Sequence, residues 1–329
     1  MAQVLVCGAI NWDTTCFVSH LPAPGEEVTC SSVSEVSGGT GANAAVAAAR
    51  LLGPGRVSLL AALGQDSITQ RQLDLLRAEG VSSDAVVRLK GQSSGHAYIL
   101  VDSAGQNTIA SNLGANAVLD VRHASHARLS SLLEDCRCVV LTDPPLAVAA
   151  AVVEAASARR ISILWDPGVL VSHGWDVLAS LAAHADSLVL NEAEAEQLYG
   201  TSAPSEIAKR LSPAATPAHL VLKQGGRGSV LLETRSGTTL HIPSLPLARL
   251  GLEVVSAVGC GDVFLGAYAA YLALGSERRH ALLMASAAGG LNATRLETRG
   301  GPDRTSLEDT VHRAASLGFT LPHAEVSDG

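Results

Sequence analysis

The chain has 329 residues, 47% of them apolar and 16% charged, enough for one large α/β domain or for a domain carrying a smaller appendage. Its formal net charge is −8 and its only lysines are Lys90, Lys209 and Lys223, so no basic stripe exists for a nucleic-acid backbone to follow. The six cysteines (Cys7, Cys16, Cys30, Cys136, Cys138 and Cys260) include no C-x-x-C pair and no histidine at zinc-finger spacing, which argues for reduced thiols and against a metal cluster.

In chain order, "VLVCGAI" is a short apolar strand with no basic segment before it, followed by an acid at Asp13. It reads as a first strand rather than a signal peptide, and the longest later apolar run is broken by Glu154, so a cytoplasmic protein without a membrane span is expected. The segments "TCFVSHL" and "EVTCSSVSEVSGG" alternate loosely, as strands with one exposed face do. "GANAAVAAARLLG" then switches to an Ala-rich helix ended by Gly53. Beyond it, the apolar strands "VSLLAAL", "CVVLTD", "ISILWDP", "SLVLNE" and "HLVLKQGG" are interleaved with helical runs such as "ITQRQLDLLRAEG" and "PLAVAAAVVEAASARR". Strands that are apolar throughout and alternate with helices predict a mostly parallel sheet covered on both faces.

One segment breaks this rhythm. "SGHAYILVDSAGQNTIAS" reads as two strands joined by the turn "SAGQ", and with residues 14–37 it predicts a small separate sheet. With no linker, repeat or low-complexity stretch, the expectation is one α/β domain over residues 1–329 with insertions at about 14–37 and 95–112. Ligands of open α/β sheets bind beyond the carboxyl ends of the strands. The ends here carry Asn11 and Asp13, Thr142 and Asp143, Asp166, Asn191 and Glu194, and Lys223.

The run "VGCGDVFLGAYAAYLALG" has helical spacing after Asp262 and a stop at Gly275, which places Gly259, Cys260 and Gly261 at a helix N-terminus. Unpaired backbone N–H groups and the helix dipole favour an anion there. Asp262 has two readings at this point. It can be an acid that favours the dipole, or the proton acceptor of a phosphoryl transfer whose moving charge the amides stabilise.

A second glycine loop, "SGGTGANAAVAAARLLG", allows the family to be named. "GG" followed by "N-x-A" opening a helix, paired far downstream with "GCGD", resembles the PfkB family of carbohydrate kinases. The resemblance runs in order through "CGAINWD", "LPAPGEEV", "NEAEAEQL", "KQGGRG" and "ASAAGGLNATR", and "PAPGE" and "SNLGANAVL" look most like ribokinase. It implies a three-layer αβα ribokinase-like fold with a β-sheet lid, and transfer of the terminal phosphate of ATP to a sugar hydroxyl with Mg2+. By this likeness Asp262 is the general base and Gly259, Cys260 and Gly261 the anion hole. Asn11, Asp13, Gly38, Gly39, Thr40 and Asn43 fall in the sugar site. Asn191 and Glu194 match the N-x-x-E pattern that organises magnesium through water. Lys223, Gly225 and Gly228 fall in the nucleotide loop, and Ser286 lies near the adenine. A homodimer through the lid sheets is also implied, an exposed sheet edge being an invitation to pair.

The match departs at three places. Ser256 stands where relatives carry an acid that helps to build a monovalent-cation site, so potassium activation is not carried over. Thr40 stands where ribokinases carry a Lys, which leaves a nucleoside or ribose 1-phosphate as an alternative acceptor. "TRLETRGGPD" is longer than its counterpart, and a reshaped cation and adenine region is expected there. Asp143 is either the acid of the sugar site or a residue that shapes the turn before two prolines. His96 and His173 receive no role, and Trp12, facing away from Asn11 and Asp13 on an extended strand, is read as packing under the lid.

Other readings fare worse. Gly39, Gly41 and Ala44 fit G-x-G-x-x-A with Asp66 beyond, but the preceding "SSVSEVS" is too polar for the strand of a dinucleotide fingerprint. No lysine follows a glycine, which excludes a P-loop. A non-catalytic sugar sensor would look alike except that it has no need of Asp262.

Overall fold

The computed structural model describes residues 2–211, 216–317, 319 and 320. Nine strands form one sheet in the order Thr239–Ile242, Ser229–Glu233, His219–Lys223, Ser187–Asn191, Ser162–Asp166, Cys138–Thr142, Val4–Gly8, Val57–Leu60 and Val81–Ser82. The pairings that join the first three strands are antiparallel and all the others are parallel. With helices on both faces, this is the three-layer arrangement around a mostly parallel sheet that the resemblance implies.

The strands are apolar throughout because both faces are covered. Along Val4–Gly8, Val4 and Val6 join a core beneath the helices Thr40–Leu52, Cys260–Ala273 and Arg278–Asn292, whereas Leu5 and Cys7 join a second core beneath Leu146–Ser157 and Trp175–Ala182. Alternation survives as a choice of core rather than as a choice between core and water.

Two helices begin at the same end of this sheet. Thr40–Leu52 and Cys260–Ala273 cross so closely that a Cβ at Gly266 would lie 2.2 Å from the carbonyl oxygen of Ala44. With Gly266 opposite the alanine-rich face, no side chain separates the two backbones, and their N-termini converge.

The smaller sheet is the expected lid, with strands in the order Ser32–Gly38, Asn11–Phe17, Gly95–Val101 and Asn107–Asn112. It begins earlier than the sequence suggests. The first core strand ends at Gly8, where a Cβ would meet the carbonyl oxygen of Thr142 at 2.3 Å, so Asn11 and Asp13 stand on a lid strand rather than at the end of a core strand. Trp12 faces the other way, 2% exposed beneath the Arg71 guanidinium at 4.7 Å, a packing and cation–π contact. Asp66, the acid of the rejected dinucleotide fingerprint, accepts from the backbone N–H of Ser94 at 2.6 Å and so ties down the entry to the lid strand Gly95–Val101.

Candidate active site

The glycine loop before Asp262 is built as its sequence demands. Gly259 caps the helix Cys260–Ala273 at φ 74°, and a Cβ on it would lie 2.1 Å from the carbonyl oxygen of Thr298. Only glycine fits, for both backbone conformation and space. The amides of Gly259, Gly261 and Asp262 find no protein acceptor among the described residues, which leaves a cluster of donors at the positive end of the helix. Asn292 holds the loop from behind, its Nδ2 donating to the carbonyl of Val258 at 3.0 Å and approaching the Cys260 sulfur at 3.4 Å. Ser256 closes the approach to the loop by accepting from the Val258 amide at 3.2 Å.

Asp262 sits in the first turn, half-buried at the floor of the cleft. Burial pushes its carboxyl up to about 7, with repulsion from Asp166 and Asp143 adding to the rise and the Asn43 hydrogen bond and Lys223 opposing it. Asn43 donates from Nδ2 to Asp262 Oδ2 at 2.8 Å, across the helix crossing described above. The other end of the same amide, Oδ1, accepts from Nε of Arg299 at 2.8 Å, and Arg299 also donates from Nη2 to the carbonyl of Gly38 at 3.0 Å.

Asp13 hangs over this group from the lid. A Cβ on Gly38 would lie 1.9 Å from Asp13 Oδ2, and one on Gly39, at φ 91°, would lie 2.6 Å from the Asn11 amide, so both glycines admit the lid strand to the cleft. Burial lifts the Asp13 carboxyl to about 6 against the pull of Arg299. Asn11 is held by Asn116, whose Nδ2 donates to its Oδ1 at 2.9 Å, and by Gln72, whose Nε2 donates to its carbonyl at 2.6 Å.

Asp143 has the left-handed φ of 55°, unusual for a residue with a side chain. Its carboxylate accepts from Thr40 Oγ1 at 3.0 Å and from the Val169 amide at 3.0 Å, and burial foremost raises it to about 6. Asp143 therefore shapes its own turn, one of its two sequence readings, and stands beside Thr40 at the cleft. Thr40 is directed at Asp143.

Lys223 marks the phosphate side. Its Nζ donates to Asp166 Oδ2 at 2.5 Å and would stand 3.4 Å from a Cβ on Gly261, directly against the amide cluster. Burial works against its charge, yet Asp166 and Glu194 raise it above the ordinary lysine range. Beyond it opens a mainly apolar cavity of about 440 Å³, lined among others by Gly225, Gly228, Ser244, Phe264 and Ser286. That size and lining suit a flat heterocycle with its phosphates turned toward Gly261.

Asn191 and Glu194 lie farther out and do more than the N-x-x-E pattern suggests. They form a capping box on the helix Glu192–Tyr199, Asn191 accepting from the Glu194 amide at 2.8 Å and Glu194 accepting from the Asn191 amide at 2.7 Å. Burial and repulsion from Asp166 raise the Glu194 carboxyl. The acids Asp143, Asp166, Glu194 and Asp262 thus share a single lysine, an excess of negative charge that suits a divalent cation. Among the described residues no three histidine, cysteine or acid side chains converge as a ligand cage. Such a donor set fits magnesium, which keeps most of its waters and takes the rest of its ligands from phosphate.

The structure therefore brings together Asn11, Asp13, Gly38, Gly39, Thr40, Asn43, Asp143 and Asp262, and on the adjoining side Gly259, Cys260, Gly261, Lys223, Gly225, Gly228 and Ser286. Sequence reasoning missed Asn116, Asn292 and Arg299. Arg299 lies in the long segment "TRLETRGGPD", which packs on the amide loop through Thr298 and reaches the Asp13 side of the cleft through Arg299.

Four similarities to known proteins bear on this site. The sequence pattern of the pfkB family carbohydrate kinases matches residues 1–304. The chain is 30% identical to the ribokinase of Bacillus subtilis over 312 residues, 94% of this chain and 100% of that one. It is 27% identical to the ATP-dependent ribose-1-phosphate kinase of Halopiger xanaduensis over 316 residues, 92% and 95% of the two chains. The solved structure of Arabidopsis thaliana ribokinase complexed with ribose and ATP superposes with a TM-score of 0.82 at 25% identity, over 94% of this chain and 99% of that one.

Proposed function

The chain belongs to the pfkB family of carbohydrate kinases, phosphotransferases with an alcohol group as acceptor, and on that premise we propose that it transfers the terminal phosphate of ATP to a hydroxyl of a pentose or similar sugar. The observation that carries this reading is the Asp262 carboxylate at the helix start, held by Asn43 and raised to about 7, beside amides that lack a protein acceptor. Asp262 takes the hydroxyl proton as that oxygen attacks the terminal phosphorus, and the bond to the ADP oxygen breaks. The free amides of Gly259, Gly261 and Asp262, with Lys223, stabilise the charge on the moving phosphoryl group, the Cys260 amide of the same loop being turned to the Ala257 carbonyl.

Asp13, Asn11 and Asn43 orient the acceptor, an acid that only accepts hydrogen bonds alongside amides that both donate and accept. Asn191 and Glu194 would hold magnesium through water, and that ion, when bound, neutralises charge on the phosphates. The lid excludes water so that the sugar hydroxyl receives the phosphate. Exposed Phe17 and Ile109 on the lid favour pairing of two lids in a homodimer. No helix among the described residues is long and apolar enough to cross a membrane, in keeping with a cytoplasmic enzyme.

A second reading keeps the mechanism and moves the acceptor to ribose 1-phosphate or a nucleoside. It is favoured by Thr40, which is bonded to Asp143 where the ribokinase pattern has a lysine, and by the ribose-1-phosphate kinase relative. The test is a coupled assay with ATP and magnesium against ribose, other sugars, ribose 1-phosphate and nucleosides, with and without potassium. Turnover of free ribose at the highest kcat/KM supports the first reading, and turnover confined to the others supports the second. Silence on every acceptor despite sugar binding would leave a sensor. Indifference to potassium is expected from Ser256.

A further inference from the structure

The Asn43 amide stands between two partners of opposite character. Toward Asp262 it must present a donor, because a carboxylate accepts, and toward Arg299 it must present an acceptor, because a guanidinium only donates. Only one of the two orientations related by a flip of the amide satisfies both contacts, which measure 2.8 Å each. Without Arg299 the flipped form would set an amide oxygen against the carboxylate with nothing to forbid it on the far side. Asn43 is 5% exposed, so water has little room to substitute.

The loop carrying Arg299 is anchored independently of that side chain. Arg50 donates from Nη1 to the carbonyls of Arg299 and Gly301, at 2.5 and 2.7 Å, and is itself held by the Glu79 carboxylate through two bonds at 2.8 and 2.7 Å. The backbone is thus fastened from the helix Thr40–Leu52 while the guanidinium returns to Asn43 on that same helix.

We propose that Arg299 is a positioning residue for phosphoryl transfer: acting through Asn43, it fixes the Asp262 carboxylate with one oxygen hydrogen-bonded and the other turned to the acceptor hydroxyl. The inference rests on the reading of Asp262 as general base. The charged or titratable groups that face Asp262 are Asp143 and Asp166 from the strand ends, Lys223 from the phosphate side, Cys260 on its own helix, and Arg299 from the acceptor side. Deleting Arg299 removes the positive charge on the acceptor side and leaves Lys223 in place. The remaining acids then hold the base protonated to higher pH.

The experiment compares Arg299→Ala and Arg299→Lys with the parent chain. Arg299→Ala is expected to lower kcat by on the order of 10- to 100-fold with KM for ATP unchanged. The acid limb of its kcat/KM profile moves to higher pH, and guanidinium in the buffer restores part of the rate. Arg299→Lys keeps the charge without the fork, so kcat falls while the limb stays. On an Asn43→Ala background and at a pH above the acid limb, Arg299→Ala should change kcat by less than about twofold, since its hydrogen-bonded route to the base is already gone. An unmoved limb without guanidinium rescue, or penalties that multiply in the double variant, would overturn the proposal. If Arg299→Ala does not fold, the lysine variant decides, and a kcat equal to that of the parent chain refutes the relay. Failure of the premise looks different: Asp262→Asn would then turn over like the parent chain.

Discussion

Asp262→Asn should stabilise the protein while disabling it. The carboxyl is raised from its ordinary 3.8 to about 7, chiefly by burial. A group whose folded-state pKa lies above its unfolded value favours the protonated folded form, so ionisation destabilises the fold. The penalty begins above the unfolded value of 3.8 and is complete above about 7. The full gap corresponds to ~4 kcal/mol, an upper bound because the asparagine also gives up a charge-assisted hydrogen bond from Asn43. Thermal and denaturant unfolding of both proteins at pH 8 and pH 5.5 is the assay. A gain of ~2–4 kcal/mol is expected at pH 8, shrinking to about half at pH 5.5, where the folded parent is already protonated. Turnover at pH 8 should fall at least ~10²-fold with sugar affinity kept. No gain in stability at pH 8, or an equal gain at both pH values, would refute the claim that a poorly solvated charge is stored at this position.

The acid limb of kcat/KM in the parent chain should lie near 7, with activity lost as the pH falls and Asp262 gains a proton, measured over pH 5–9. Gly38→Ala should raise KM for the acceptor far more than KM for ATP, because its Cβ would fall 1.9 Å from Asp13 Oδ2, and equal changes in both would count against Asp13 as an acceptor residue. Asn43→Ala should raise the acceptor KM and also lower kcat, since one amide serves both the sugar and the base, and an unchanged KM would remove it from the sugar site. Gly259→Ala must lose the loop conformation at φ 74° and collide with the Thr298 carbonyl, so phosphoryl transfer should drop by ~10²-fold or more, with nucleotide binding measured separately by calorimetry.

Much of this was legible in the sequence, for identifiable reasons. The central sheet showed itself through strands apolar at every position, and the two glycine loops through a local code that needs no knowledge of distant contacts. Asp262 followed from its place one residue past Gly261 at a helix start. What stayed hidden depends on chain return. Asn116 bonds to Ile10 across 106 residues, and Arg299 reaches Asn43 across 256, separations over which no local pattern constrains a side chain. The unusual length of "TRLETRGGPD" was the one visible signal, and it gave no direction. Asn191 and Glu194 were misleading in another way, since one spacing serves both a helix cap and a water-mediated cation site. Asn11 and Asp13 were read as strand-end residues because the break at Gly8 comes from Thr142 and Gly41, neighbours in space only.

The close crossing at Gly266 also divides the centre into two differently supported halves. Because the Ala44 carbonyl almost touches Gly266, the amide loop, Asp262 and Asn43 form one block that cannot open or shut along its own seam. Asp13 belongs to the other sheet. The reactive half of the centre is thus carried by one rigid helix pair, whereas the acceptor half depends on how the smaller sheet is seated above it. A substitution that loosens the helix pair disturbs base and phosphate cradle together, and one that shifts the smaller sheet disturbs the acceptor side alone.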